Sequence, residues 1–201
     1  HRDLHSFPTR RSSDLSLVAR VNRNEPVELN PLFIRLFRLS EAISERTAGA
    51  FDITVGPLVR AWGFYRKQGM EPSMQNIDIL KALNGYRKVI LTDTGIVKDD
   101  PRIKLDFNAI AQGLTVDLVA EYLDQLGIAD YLAEVGGEVR TKGLRGRSEP
   151  WRIGIERPSP NDSSAQEVGI TISRRGKTGA TSGKYRKYLK REGRKFTETK
   201  Q

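Results

Sequence analysis

The residues best suited to chemistry lie between positions 105 and 143. Reading LDFNAIAQG from Leu105, the chain sets a carboxylate and an amide, Asp106 and Asn108, ahead of a glycine-bearing turn that opens an amphipathic helix. That helix returns to an apolar strand beginning at Tyr131, which ends at Gly136 and Gly137 with Glu138 next. Helix starts carry N–H groups with no intrahelical partner and a partial positive charge, and glycines let a phosphate lie against the backbone. The pattern is that of an anion-binding site. Residue types alone carry it as far as a phosphorylated ligand.

Composition narrows the chemistry further. The 201 residues contain no cysteine, which removes thiolate catalysis and disulfides. The only histidines are His1 and His5, so histidine catalysis has almost nothing to draw on. With 37% hydrophobic and 29% charged residues, the chain reads as one soluble globular domain or slightly more. No apolar run reaches the ~18 residues of a membrane span, and no charged region followed by an apolar one marks an export signal. The net charge of +9 raises a nucleic-acid reading, which its distribution opposes: residues 174–201 hold 11 Lys and Arg against 2 Asp and Glu, and the rest balances at 23 against 23. A solvated basic hairpin is the expectation there, with no nucleic-acid partner.

The elements that must position these residues follow in order. Residues 1–15 have no apolar period and read as a non-native or disordered leader, so the domain is taken as 16–201. A short strand-like piece starts at Leu17. Asn30 and Pro31 are an N-cap and first helical residue, followed by Phe33, Leu36, Phe37, Ser40, Ile43 and Thr47 at helical spacing, with Gly49 as the stop. Asp52 and Thr54 share a face if their segment is extended, Gly56 and Pro57 break it, and Asp52 alone reads as a cap or turn former. A polar connector over 65–76 precedes a short helix over 77–83. Strands are expected at 89–91, 95–97 and 103–105. Leu114, Leu118, Val119, Tyr122, Leu123 and Leu126 form an apolar stripe expected to be core, and Gly127 ends that helix. Residues 145–150 and 158–164 read as loops, 151–156 and 168–172 as alternating strands, and 178–183 as a small-residue turn. Helices early and hairpins late give an α+β class.

Four segments together resemble the ApbE-type flavin transferases, the FAD:protein FMN transferase family: TAGAFDITVGPLVRAWGF at 47–64, LDFNAIAQGLTVD at 105–117, YLAEVGGEVRTKG at 131–143 and TSGKYRKY at 181–188. The resemblance covers about residues 17–196. It implies the ApbE-like, T-fold-related fold, FAD as bound substrate, Mg²⁺ at its diphosphate, and transfer of FMN to a Ser or Thr hydroxyl of a target protein, such as a redox-pump subunit, with release of AMP. A non-catalytic flavin-binding module or an FAD pyrophosphatase is the alternative. By the same resemblance Phe51, Asp52 and Thr54 contact the flavin or its ribityl chain. Gln112, where many relatives have lysine, and Gly113 lie near the diphosphate, and Asp117 supports that helix opening. Glu134, Gly136, Gly137 and Glu138 line the nucleotide side, and the Ala111 carbonyl is the metal contact. Mg²⁺ takes oxygen ligands, so no His or Cys is needed.

The departures carry expectations of their own. The family's Asp-Pro-x-Thr-Gly segment, with its histidines, would follow Phe196, so the catalytic Asp/His segment is expected beyond Gln201. A Met-Gly-Thr strand is missing ahead of Leu17, and Lys184 stands where Asp or Asn is usual. The resemblance therefore implies a flavin transferase domain incomplete at both ends and impaired in transfer. The parent is expected to be exported and membrane-anchored on the periplasmic or outer side.

Overall fold

The computed structural model describes residues 16–62, 74–146, 148–156, 168–174, 178–179, 188–191 and 194–197. The leader over 1–15, the loop over 158–164 and the 181–187 part of the TSGKYRKY segment lie outside the described residues. The chain divides into two compact units, one of residues up to Ala111 with Tyr188 onward, the other Gln112–Lys187.

The first unit is led by helices. Ser16 caps α1 (Leu17–Asn22) by accepting the Ala19 N–H at 3.1 Å. The expected strand at Leu17 is thus a helix: Val18 and Val21, three residues apart, are both buried and so lie on one helical face. Helix α2 (Pro31–Arg46) begins as its sequence dictates, with Asn30 Oδ1 accepting from Phe33 N at 2.8 Å and Pro31 in the first turn. It buries Phe33, Leu36, Phe37, Ser40 and Ser44. Ala48 and Gly49 then take φ of +50° and +84°, and Gly49 N–H closes on the Ser44 carbonyl.

Gly56 and Pro57 do not simply interrupt the chain; they start α3 (Gly56–Ala61), where proline's missing N–H costs nothing. Helix α4 (Met74–Leu83) begins inside the expected connector and is followed by a 3₁₀ turn, Tyr86–Lys88. The hairpin of β1 (Val89–Thr92) and β2 (Gly95–Lys98) pairs as the spacing predicted.

The expected strand at 103–105 is not in a ladder. Asn22 replaces the missing neighbour: its amide donates to the Leu105 carbonyl at 2.9 Å and its Oδ1 accepts Leu105 N–H at 2.7 Å. Asp106 N–H goes to the Ile53 carbonyl at 2.7 Å. Ile103, Leu105 and Phe107 alternate inward, and Phe107 meets Phe33 edge-on at 5.6 Å.

The second unit sets α5 (Ala111–Gln125), whose first residue counts with the first unit, against a hairpin of β3 (Tyr131–Val135) and β4 (Glu138–Lys142). Its core is Val116, Ala120, Tyr131 and Ala133, with Leu123 and Val135 against it. Leu114 is buried as expected, whereas Val119, Tyr122 and Leu126 are 40, 60 and 57% exposed. The buried face is centred on small Ala120, which admits the bulk of Tyr131; the larger residues beside it point outward. Strands β5 (Trp151–Glu156) and β6 (Val168–Arg174) pair separately, and β7 (Thr178–Gly179) adds to β4. In the first unit β8 (Tyr188–Arg191) pairs with β9 (Arg194–Thr197). Helices and antiparallel hairpins together make the α+β class.

Candidate functional site

The Asp52 to Thr54 turn is one of two places where the expected residues gather. Asp52 Oδ1 accepts the Thr54 N–H and lies 2.7 Å from the Thr54 hydroxyl, while Oδ2 accepts Tyr86 N–H at 2.9 Å. Thr54 Oγ1 accepts Gly85 N–H at 2.8 Å and is 3.0 Å from Asn84 Oδ1, so its one hydrogen is shared between two acceptors. These are short-range Asx contacts extended to a segment 30 residues away. Asp52 is the turn former its sequence suggested. Phe51 is half-buried beside it, its N–H donating to Thr47 Oγ1. The partners Asn84, Gly85 and Tyr86 were not singled out from sequence, although Asn-Gly is itself a turn signal.

Asp106 caps the turn leading to α5. Its Oδ1 accepts the Asn108 N–H at 3.0 Å, and Ala111 N–H reaches the Phe107 carbonyl. A Cβ on Gly56 would lie 2.8 Å from the Asp106 Cβ, so only glycine admits this approach. Asp106 and Asn108 thus support the turn.

The second place is the β3–β4 hairpin. Val135 pairs with Glu138 across Gly136 and Gly137, whose φ values of +62° and +94° are those of a type I′ turn. Gln112, in the first turn of α5, packs its amide on Gly136: a Cβ there would fall 2.3 Å from Nε2. Added Cβ atoms on Gly113 and Gly137 would meet nothing within 4 Å. Gln112, Glu134, Gly136 and Gly137 are exposed. Glu138 is half-buried, and that burial raises its carboxyl above the ordinary range. The structure therefore brings Gln112, Gly136 and the turn flanked by Val135 and Glu138 together.

Asp117 accepts from Arg140 Nη1 at 2.7 Å, which ties the second turn of α5 to β4 and holds the guanidinium pKa up. Farther along, Asp124 accepts from Lys142 Nζ at 2.8 Å and Tyr131 OH at 3.1 Å. The Lys142 ammonium is the main cause of a carboxyl pKa below the usual range. Arg140 and Lys142 were missed from sequence, because alternation along a strand places them on a face without naming a partner.

Among the described residues no group of three or more His, Cys, Asp or Glu side chains could hold a metal. The Ala111 residue is buried at the start of α5.

A sequence model of the ApbE family matches residues 5–199. The FAD:protein FMN transferase of Vibrio cholerae is 35% identical over 190 residues, 94% of this chain and 56% of that protein. That of Haemophilus influenzae is 35% identical over 180 residues, 86% of this chain and 51% of its own length. The apo crystal structure of the Pseudomonas stutzeri flavinyl transferase ApbE superposes with a TM-score of 0.78 at 32% identity, covering 95% of this chain and 59% of that one. The chain spans about half the length of the curated relatives it matches.

Proposed function

The chain belongs to the ApbE family, and on that premise we propose that it binds FAD and serves transfer of the FMN half to a hydroxyl of a target protein. The observation that carries this reading is the Gly136 and Gly137 turn with Gln112, from the first turn of a 15-residue helix, laid against it. Backbone N–H groups free of side-chain bulk suit a diphosphate, which no single carboxylate or amide would discriminate. In the transfer, the acceptor hydroxyl gives up its proton to solvent, its oxygen bonds to the FMN phosphorus, and the bond from that phosphorus to the bridging oxygen breaks, so that AMP leaves. Donors fixed beforehand around the phosphoryl oxygens stabilise the charge that grows there.

Each element then has a role. Gln112, Gly113, Gly136 and Gly137 hold phosphate oxygens, while Glu134 and Glu138 line the nucleotide side. Asp117, held by Arg140, keeps the start of α5 against its strand. In the first unit Phe51, Asp52 and Thr54 present a flavin or ribityl contact on a turn already fixed by Asn84 to Tyr86. Mg²⁺ enters by family likeness, with the Ala111 carbonyl as this chain's donor. The described side chains do not by themselves form a metal cage, and no step is assigned to the ion. The same likeness supports a Ser or Thr acceptor, a redox-pump subunit among the candidates, and a working place outside the cytoplasmic membrane on a lipid anchor. Among the described residues no helix is long and apolar enough to cross a membrane.

The test is incubation with FAD, Mg²⁺ and a Ser- or Thr-bearing acceptor, read by mass spectrometry and nucleotide chromatography. Slow, incomplete labelling of the acceptor with FMN, each label matched by one AMP, is expected, because the family resemblance implies impaired transfer. AMP and free FMN with an unlabelled acceptor would assign water as the acceptor and overturn transfer.

A further inference from the structure

A buried hydroxyl left unmet costs about 1–3 kcal/mol, so such groups are few. The first unit places two of them together. Ser44 Oγ and Tyr86 OH are buried with no hydrogen-bond partner from the protein. Both line one cavity of about 10 Å³, walled by Phe37, Glu41, Ile53 and Val89. That volume is roughly one water.

Helix α2 supplies its own control. Ser40 and Ser44 are one turn apart and both fully buried. Ser40 donates back to the Leu36 carbonyl at 2.7 Å, the usual recourse of a helical serine. Ser44, beside the cavity, makes no such bond. Glu41 also lines the cavity, while its Oε2 accepts from Arg38 Nη1 at 2.9 Å in an exposed ion pair. Two hydroxyls beside a water-sized space meet the needs of a water, which makes two to four hydrogen bonds when buried.

We propose that one internal water occupies this cavity and bridges the Ser44 and Tyr86 hydroxyls. The water holds the ring end of Tyr86, whose backbone N–H is held by Asp52. It therefore links α2 to the Asp52 to Thr54 turn and positions that turn. The inference stands on the two hydroxyls and the cavity, independently of what the turn binds.

A crystal structure of the 201-residue chain, at a resolution that shows ordered water, decides it. One solvent peak about 2.6–3.2 Å from both hydroxyl oxygens is expected. A direct Ser44 to Tyr86 hydrogen bond, or a cavity without density, would overturn the proposal. Ser44→Ala and Tyr86→Phe give a second reading through thermal midpoints. Either variant alone should lower the midpoint, and the double variant should fall by less than the sum, because each single change already breaks the bridge. Additive losses would contradict a shared water.

Discussion

At the Asp52 corner of the first unit, polar side chains are committed to neighbouring backbone: one carboxylate serves the Thr54 and Tyr86 N–H groups, and one hydroxyl serves that of Gly85. At the glycine hairpin of the second unit the arrangement is reversed. Gly136 and Gly137 are exposed backbone with φ fixed by a two-residue turn, and the Gln112 side chain rests on Gly136. The difference teaches which kind of substitution each place tolerates. The corner is a scaffold whose loss unfolds its surroundings; the hairpin is a surface whose change is felt by a ligand before it is felt by the fold.

Asp52→Ala should give the largest effect, about 3 kcal/mol of stability by urea unfolding, because several partly buried donors lose their acceptor at once. A loss within the few tenths of a surface substitution would erase the contrast. Gly136→Ala should cost only about 1 kcal/mol, since the left-handed φ disfavours alanine and the Gln112 tip can move aside. FAD affinity should fall much further than that stability loss alone accounts for.

Two titrations sharpen the same contrast with smaller effects. Burial, followed by the charge of Lys104, pushes Lys98 down to about 8, against an ordinary value of 10.5. The folded chain then releases that proton before the unfolded chain does, so stability should rise as pH climbs between those values. Lys98→Met should lack this rise in pH-dependent unfolding. Asp124 is shifted down, chiefly by its bond from Lys142. That contribution is present above the ordinary carboxyl range and lost as pH falls through the lowered value; Lys142→Met should flatten it, and by less, because the pair is solvent-screened.

Much of this was legible in the sequence where local chemistry decides the outcome. Asn30 with Pro31 announced α2, and the apolar run from Tyr131 closing at paired glycines announced β3 and its end, because caps and chain breaks are short-range devices; the returning strand β4 was not foreseen. The errors came where a distant partner decides. Residues 103–105 alternate like a strand, yet the Asn22 side chain, about 80 positions earlier, supplies the hydrogen bonds. The stripe on α5 was misplaced because Ala120, the least conspicuous apolar residue there, faces Tyr131 and Ala133. Arg140 could not be matched to Asp117 without knowing how β4 lies against the helix.

The most direct measurement is a titration of FAD into the chain and into Gly136→Ala, followed by flavin fluorescence, with the circular dichroism and melting midpoint of each recorded alongside. Saturable binding that inorganic pyrophosphate displaces is expected, weakened about tenfold or more in the variant, equivalent to about 1.4 kcal/mol, while the variant stays folded. No saturable binding, or equal affinity in a folded Gly136→Ala, would contradict the assignment of the diphosphate to the glycine hairpin.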